Sequence, residues 1–340
     1  MIKRLLKRSH NQAPASAKQN DIAVTDVFVV HIPKTAGTSF KKALDNGRYL
    51  EMDYGDKSPE TTKLVKQYVY NETEPYRLRC QHSEKPFSLM GHVVINAYSD
   101  MYDIRNIITF IREPVAQVIS HFNHYVNNYQ FKGEFSNFYQ NNAFINLHGK
   151  HLLGFPLSLI GHVGITEHYA QSLTLINAHL DLGLKELEHN KRAVAHKDVE
   201  CLSSQERQQI VELNTKDIEL YHEGVHLHHL RMAMHSSGKP WAHLHAHINV
   251  NNVMHGCAYY AESDDTVELA ITVNGDVVEE SIKATDFYGA YPKYHFPRAR
   301  YIGFRFPLAK FLPQDIESIE LVVKSTGQTY QVVLPERFKA

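Results

Sequence analysis

Apolar positions follow two regimes along the chain. Up to about residue 236, short unbroken apolar runs alternate with stretches of helical spacing; from about 241 onward the runs become short and alternating. Val27-Phe28-Val29-Val30 is rich in β-branched residues and too short for a helix, as expected of an inner strand in a parallel sheet covered on both faces. Pro33 stops that strand, Gly37 permits a close turn, and Thr38 and Ser39 are suited to cap a helix. Phe40, Ala43 and Leu44 give its first turns, and Asn46-Gly47 its end.

Further along, Phe87 to Val94 and Ile104 to Ile111 read as two more strands. Pro114 follows the second at a first helical position, with Val115, Val118, Ile119 and Phe122 as the apolar stripe. Val163-Gly164-Ile165-Thr166-Glu167 predicts another strand turning into a helix, with Thr166 as cap and Leu173, Leu175, Ile176 and Leu180 behind it. Ser203 to Glu206 has the form of a capping box. The polar stretch between Gly47 and Phe87 gives only a short helix near Thr62 to Tyr70; its remainder reads as cleft-lining loop or solvated crossover. This alternation predicts an α/β fold with a central parallel sheet flanked by helices.

After Pro240 the pattern changes to alternating strands, among them Val267 to Val273 followed by the hairpin signal Asn274-Gly275. The expectation is a small antiparallel β-sandwich over 241–340, behind an α/β domain over 25–236 and a basic flexible tail over 1–24. A chain ending near Ser236 is expected to fold alone, because the candidate anion-binding residues all precede that point.

Candidate chemistry gathers at the strand ends. A helix N-terminus aimed at the end of Val27 to Val30 collects unpaired N–H groups and the positive end of the helix dipole, and Lys34 adds a full charge, so phosphate or sulfate is the natural guest. In the nucleotide triphosphatase loop the lysine follows the last glycine; here Lys34 precedes Gly37. Arg112 closes another strand, with Ser120 eight residues later on the following helix. Gly91-His92 ends the strand between them in sequence.

With Ile-Pro ahead of Lys-Thr-Ala-Gly-Thr-Ser, the first loop resembles the 5′-phosphosulfate loop of sulfotransferases that use 3′-phosphoadenosine 5′-phosphosulfate (PAPS). Arg112 and Ser120 have the spacing with which that family holds the 3′-phosphate. Gly91-His92 resembles the His-Gly-His of the heparan and uronyl 2-O-sulfotransferase group, with Met90 in place of the first histidine, and Val-Gly-Ile-Thr-Glu is similar to a further element of the family. The resemblance spans about two-thirds of the chain and implies that the central parallel sheet is of the P-loop type. It implies in-line transfer of a sulfuryl group from PAPS to a hydroxyl of a glycan or glycoconjugate, with no metal required. In that scheme Lys34 neutralises the bridging oxygen, the backbone of Thr35, Ala36, Gly37, Thr38 and Ser39 cradles the 5′-phosphate, Arg112 and Ser120 hold the 3′-phosphate, and His92 takes the acceptor proton. Glu167 is left either to orient His92 or another polar group, or simply to offset a helix dipole. Two other readings stay open: an ATP-dependent P-loop phosphotransferase, which needs magnesium, and a nonenzymatic carbohydrate-binding protein with a vestigial nucleotide fold.

Composition narrows the classes. Lys+Arg 36 against Asp+Glu 37 leaves no bulk positive field, which argues against a nucleic-acid partner. Cys80, Cys201 and Cys257 are odd in number and lack metal-ligand spacing, pointing to a reducing compartment and so to the cytoplasm. The basic start, Met1 to Arg8, runs into polar residues, so neither a signal peptide nor an anchor is expected, at most weak contact with an anionic membrane surface. His226, His228, His229, His235, His243, His245, His247 and His255 crowd the junction of the two regimes. Zinc or nickel ligation is one reading; a polar, histidine-rich linker and strand is the preferred one.

Overall fold

The computed structural model describes residues 25–45, 48–82, 86–186, 196–308, 311 and 313–338. The basic tail over 1–24 and the Asn46-Gly47 stop lie outside these residues.

Five parallel strands form the central sheet in the order β2-β3-β1-β4-β5. They are β1 (Val27–Val30), β2 (Tyr49–Asp53), β3 (Phe87–Gly91), β4 (Ile107–Ile111) and β5 (His162–Ile165). Successive residues of β1 enter different cores: Phe28 and Val30 pack with Leu89, Ile107 and Ile165, whereas Val27 and Val29 pack with Met90, Ile108, Phe40 and Leu173. Burial on both faces is why these strands read as unbroken apolar runs.

Helix α1 (Gly37–Leu44) follows β1. Next come α2 (Lys63–Val65), which continues as a π-helical turn over Lys66–Asn71, and α3 (Tyr76–Gln81). The chain then forms α4 (Pro114–Tyr129), α5 (Phe135–Tyr139), α6 (Leu147–Leu152), α7 (Tyr169–Leu180), α8 (Ser204–Leu213) and α9 (Thr215–Ser236). Pro114 opens α4 as expected, and the Ser203–Glu206 capping box is formed at α8. Thr166 does not cap α7, which starts at Tyr169; its hydroxyl donates to Ile111 O and ties β5 to β4.

Strand β2 has no counterpart in the sequence reading, because its inward residues are charged. Glu51 is buried against His82 Nε2 at 3.0 Å and against the Thr62 hydroxyl. Asp53 accepts hydrogen bonds from Tyr70 Oη and Tyr98 Oη, each at 2.6 Å, and from Gly55 N at 3.0 Å. Full pairing is what lets two carboxylates lie inside.

Beyond α9 the chain builds two antiparallel four-stranded sheets. One has the order β10-β11-β7-β6 and the other β13-β12-β8-β9. The first contains β6 (Ala242–Ile248), β7 (Val253–Tyr260), β10 (Asp286–Phe287) and β11 (Tyr301–Pro307). The second contains β8 (Glu268–Val273), β9 (Asp276–Lys283), β12 (Ile319–Val323) and β13 (Thr329–Gln331). Asn274 and Gly275 turn between β8 and β9 with φ of 53° and 87°, the left-handed pair that a tight hairpin requires. Leu244, Ala246 and Met254 of the first sheet meet Leu269, Ile271 and Leu321 of the second in a common core.

The other face of the first sheet is equally buried, but against the α/β part. Cys257, Tyr259 and Ile302 share one hydrophobic cluster with Phe28, Tyr98 and Phe155. Tyr259 Oη donates to Leu159 O at 2.7 Å, Ser99 Oγ donates to Lys293 O at 2.9 Å, and Arg105 pairs with Asp264 at 2.9 Å. This shared cluster reverses the expectation for truncation at Ser236. Removal of 241–340 should leave Tyr98, Phe155 and their neighbours without cover, giving an aggregating product with no cooperative melting transition. Calorimetric scanning of the truncated chain checks this; a sharp transition near that of the full chain would show the α/β part to be self-sufficient.

Candidate active site

Because the strands are parallel, the residues that follow their carboxyl ends lie along one edge of the sheet: Tyr54 after β2, His92 after β3, His31 after β1, Arg112 after β4 and Thr166 after β5. Backbone bonds fix their order, His31 N donating to Gly91 O at 2.9 Å and His92 N to Asp53 O at 3.0 Å.

In the loop from β1 to α1, Lys34 and Ala36 hold φ of 67° and 69°. Left-handed backbone at non-glycine residues costs about 1 to 3 kcal/mol each and concentrates where a loop must turn its N–H groups toward a ligand. Ala36 occupies the position before the helix and supplies no side-chain cap. Thr38 and Ser39, expected as caps, lie within the first turn instead, so the N–H groups there remain available to an anion. Gly37 is needed for a different reason from a turn: a Cβ there would fall 1.8 Å from His31 Nε2. Thr35 is buried, and its hydroxyl donates to Ile32 O at 2.9 Å.

Two cations converge on this loop. Arg112 Nη1 donates to Lys34 O at 3.2 Å, and each of the two side chains has its pKa lowered by burial, that of Lys34 also by the Arg112 charge. Arg112 Nε is buried without a hydrogen-bond partner among the described residues. Glu167 Oε1 stands 3.9 Å from it, accepts from Glu113 N at 3.2 Å, and Glu167 Oε2 accepts from Tyr221 Oη at 3.3 Å. Glu167 is thus engaged with Arg112, Glu113 and Tyr221. Arg112 is further placed by His148, whose Nε2 accepts from Arg112 N at 3.4 Å and whose Nδ1 lies 3.0 Å from Asp217 Oδ2. Gln117 reaches back from α4 to donate to Pro33 O at 3.0 Å. Ser120 lies on α4, half-buried, and the hydrogen bonds of Arg112 among the described residues do not go to it.

Imidazoles also gather within electrostatic reach of Lys34. The His92 ring packs 4.5 Å from His31 and 4.6 Å from Tyr54, centroid to centroid, and His31 Nδ1 is 3.1 Å from Tyr54 Oη. His92 keeps an exposed edge, yet surrounding protein lowers its pKa to about 4, helped by His151, His124 and Lys34. Burial likewise lowers His31, His121 (to about 3), His124 and His151. Sequence reasoning missed His31, Gln117, His148 and His151 as parts of this site, and placed Tyr54 only within a stretch read as cleft-lining loop or solvated crossover. Only His31 carried a local signal, its adjacency to the loop.

A pH prediction follows from these directions. An unfolded histidine takes a proton below about pH 6.5, which the folded cluster resists until lower pH, so stability is retained above 6.5 and lost as the pH falls toward 4. A bound polyanion reverses the penalty. Calorimetry of adenosine 3′,5′-bisphosphate binding in buffers of different ionisation enthalpy, near pH 6, should therefore show net proton uptake; no uptake would place the anion away from the imidazoles.

The histidines of the junction are spread over α9, β6 and β7. His243, His245 and His247 do share a face of β6, but His243 Nδ1 bonds Ser158 O at 2.9 Å, and no group of three or more metal-ligating residues occurs among the described residues. No described helix is long and apolar enough to cross a membrane.

No family model and no curated protein sequence matches the chain. Among solved structures, the mouse sulfotransferase SULT7A1 complexed with PAP aligns over 57% of this chain and 84% of its own, at 12% identity and a TM-score of 0.38. So loose an overlay leaves the function to be judged from the residues themselves.

Proposed function

We propose that the chain transfers a sulfuryl group from PAPS to a hydroxyl of a glycan or glycoconjugate. The observation that carries this reading is the pairing of Lys34 with Arg112, an orphan Nε included, at a helix N-terminus without a side-chain cap. Such a corner suits a nucleotide with anionic groups at two places. PAPS would supply the activated sulfuryl group and a bisphosphate leaving group. Lys34 and the backbone from Thr35 to Ser39 would hold the 5′ end, and Arg112 and Ser120 the 3′-phosphate. His92 would accept the hydroxyl proton. Its low pKa leaves it unprotonated at neutral pH, and anionic charge beside Lys34 would raise its basicity toward the useful range.

Within this reading, 25–236 is the transferase part, 241–340 an accessory β domain, and the site of action the cytoplasm. The test is purified protein with sulfur-labelled PAPS and a panel of cell-envelope glycans, with EDTA present and with ATP plus magnesium as the rival donor. Label appearing in glycan supports sulfuryl transfer. Transfer from ATP alone, or glycan binding with no turnover of either donor, sinks it.

A further inference from the structure

Away from the strand ends, a hollow lies between β5, α7 and α9 on one side and the start of β6 on the other. Leu175, Ile176, Leu227 and Trp241 form its apolar wall, and Arg231, His228 and His243 its polar one. The hollow is roomier than a single water molecule needs.

The polar groups are incompletely paired. Arg231 donates Nη1 to Gly161 O and lies 5.8 Å from the Trp241 ring centroid, but makes no ion pair among the described residues; Glu262 acts on it only from a distance. Part of the residue touches solvent, while burial of its head pulls its pKa down to about 10. His243 is 1% exposed; since a carbonyl only accepts, its Nδ1 must donate to Ser158 O, which leaves Nε2 as a bare acceptor without partner. His228 is 3% exposed, its Nε2 faces Gln171 Oε1 at 3.4 Å, and its Nδ1 has no partner. One cation with free donors therefore stands beside two lone pairs that want donors, over an apolar floor. Water answers the lone pairs but leaves the charge unneutralised.

We propose that this hollow binds a small organic acid bearing a hydroxyl or similar donor, its carboxylate on Arg231, its donor on the bare nitrogen of His243 or His228, and its carbon body against Leu175, Ile176 and Trp241. A 2-hydroxy acid of a few heavy atoms has this chemistry. Because Trp241 and His243 belong to the β part and Arg231 and His228 to α9, such a ligand fastens the two parts together.

Lactate, propionate and propane-1,2-diol separate the contributions when compared on the full chain at pH 7.5 and constant ionic strength, by thermal shift and calorimetry. Lactate should raise the melting temperature, propionate should bind about tenfold more weakly for want of one hydrogen bond, and the diol should have no effect. The lactate shift should disappear in Arg231→Met and persist in Arg112→Ala, which removes a cation of the other anion site. Should Arg231→Met fail to fold, Leu227→Phe, which fills the hollow, must abolish the shift instead. No response to lactate, an equal response to the diol, or a shift surviving in the folded Arg231 or Leu227 variant would overturn the proposal.

Discussion

Adenosine 3′,5′-bisphosphate should bind at least about 100-fold more tightly than AMP, and Arg112→Ala should erase most of that preference. Each charge-assisted bond from the Arg112 fork is worth about 1.5 to 3 kcal/mol, and two to one phosphate suffice for the stated ratio. The ratio is the proper readout because Arg112 Nη1 also holds Lys34 O, so the variant will loosen the loop and weaken both nucleotides to some extent. Loss of loop order alone lowers the two affinities together. Loss of a 3′-phosphate contact lowers one. Calorimetry on wild type and variant distinguishes them, and a preference that survives Arg112→Ala would remove the basis for a PAPS site.

His92→Ala should slow single-turnover transfer by about 100- to 10,000-fold while bisphosphate affinity stays near that of wild type. The ring is partly exposed and its ring contacts are with His31 and Tyr54, so its removal should spare the nucleotide. Lys34→Ala, by contrast, should harm binding and rate alike. A wild-type rate in His92→Ala would move the base to another of the neighbouring imidazoles, His31, His121, His124 or His151, rather than to Glu167, whose carboxylate already accepts from Glu113 N and Tyr221 Oη. A fall in stability, affinity and rate together would mark His92 as a packing residue.

These experiments address residues that differed in how plainly the sequence marked them. Lys34, Arg112 and His92 each directly follow, or closely follow, a strand that local patterning predicts, so their arrival at one edge of the sheet needed only that the strands be parallel. Gln117, His148, Asp217 and Tyr54 act through contacts across long stretches of chain: Gln117 on Pro33, His148 on Arg112, Tyr54 on His31. No spacing rule encodes such meetings.

What the sequence determined by itself was whatever depends on neighbours along the chain. That includes the apolar runs of β1, β3 and β4, proline at the start of α4, the capping box of α8, and the Asn274-Gly275 hairpin, since propensity and capping act within a few residues. Tertiary structure decided three things that local rules cannot. It buried Glu51 and Asp53 in β2, because partners from elsewhere satisfy them. It left α1 without a side-chain cap, because the loop turns at Lys34 and Ala36 rather than at the glycine. And it joined the two parts of the chain through a sheet buried on both faces, so that Tyr259 packs with Phe296 and Tyr98's cluster while its neighbour Ala258 packs in the sandwich: burial is a property of what lies across a sheet, and that is settled only when the chain has folded.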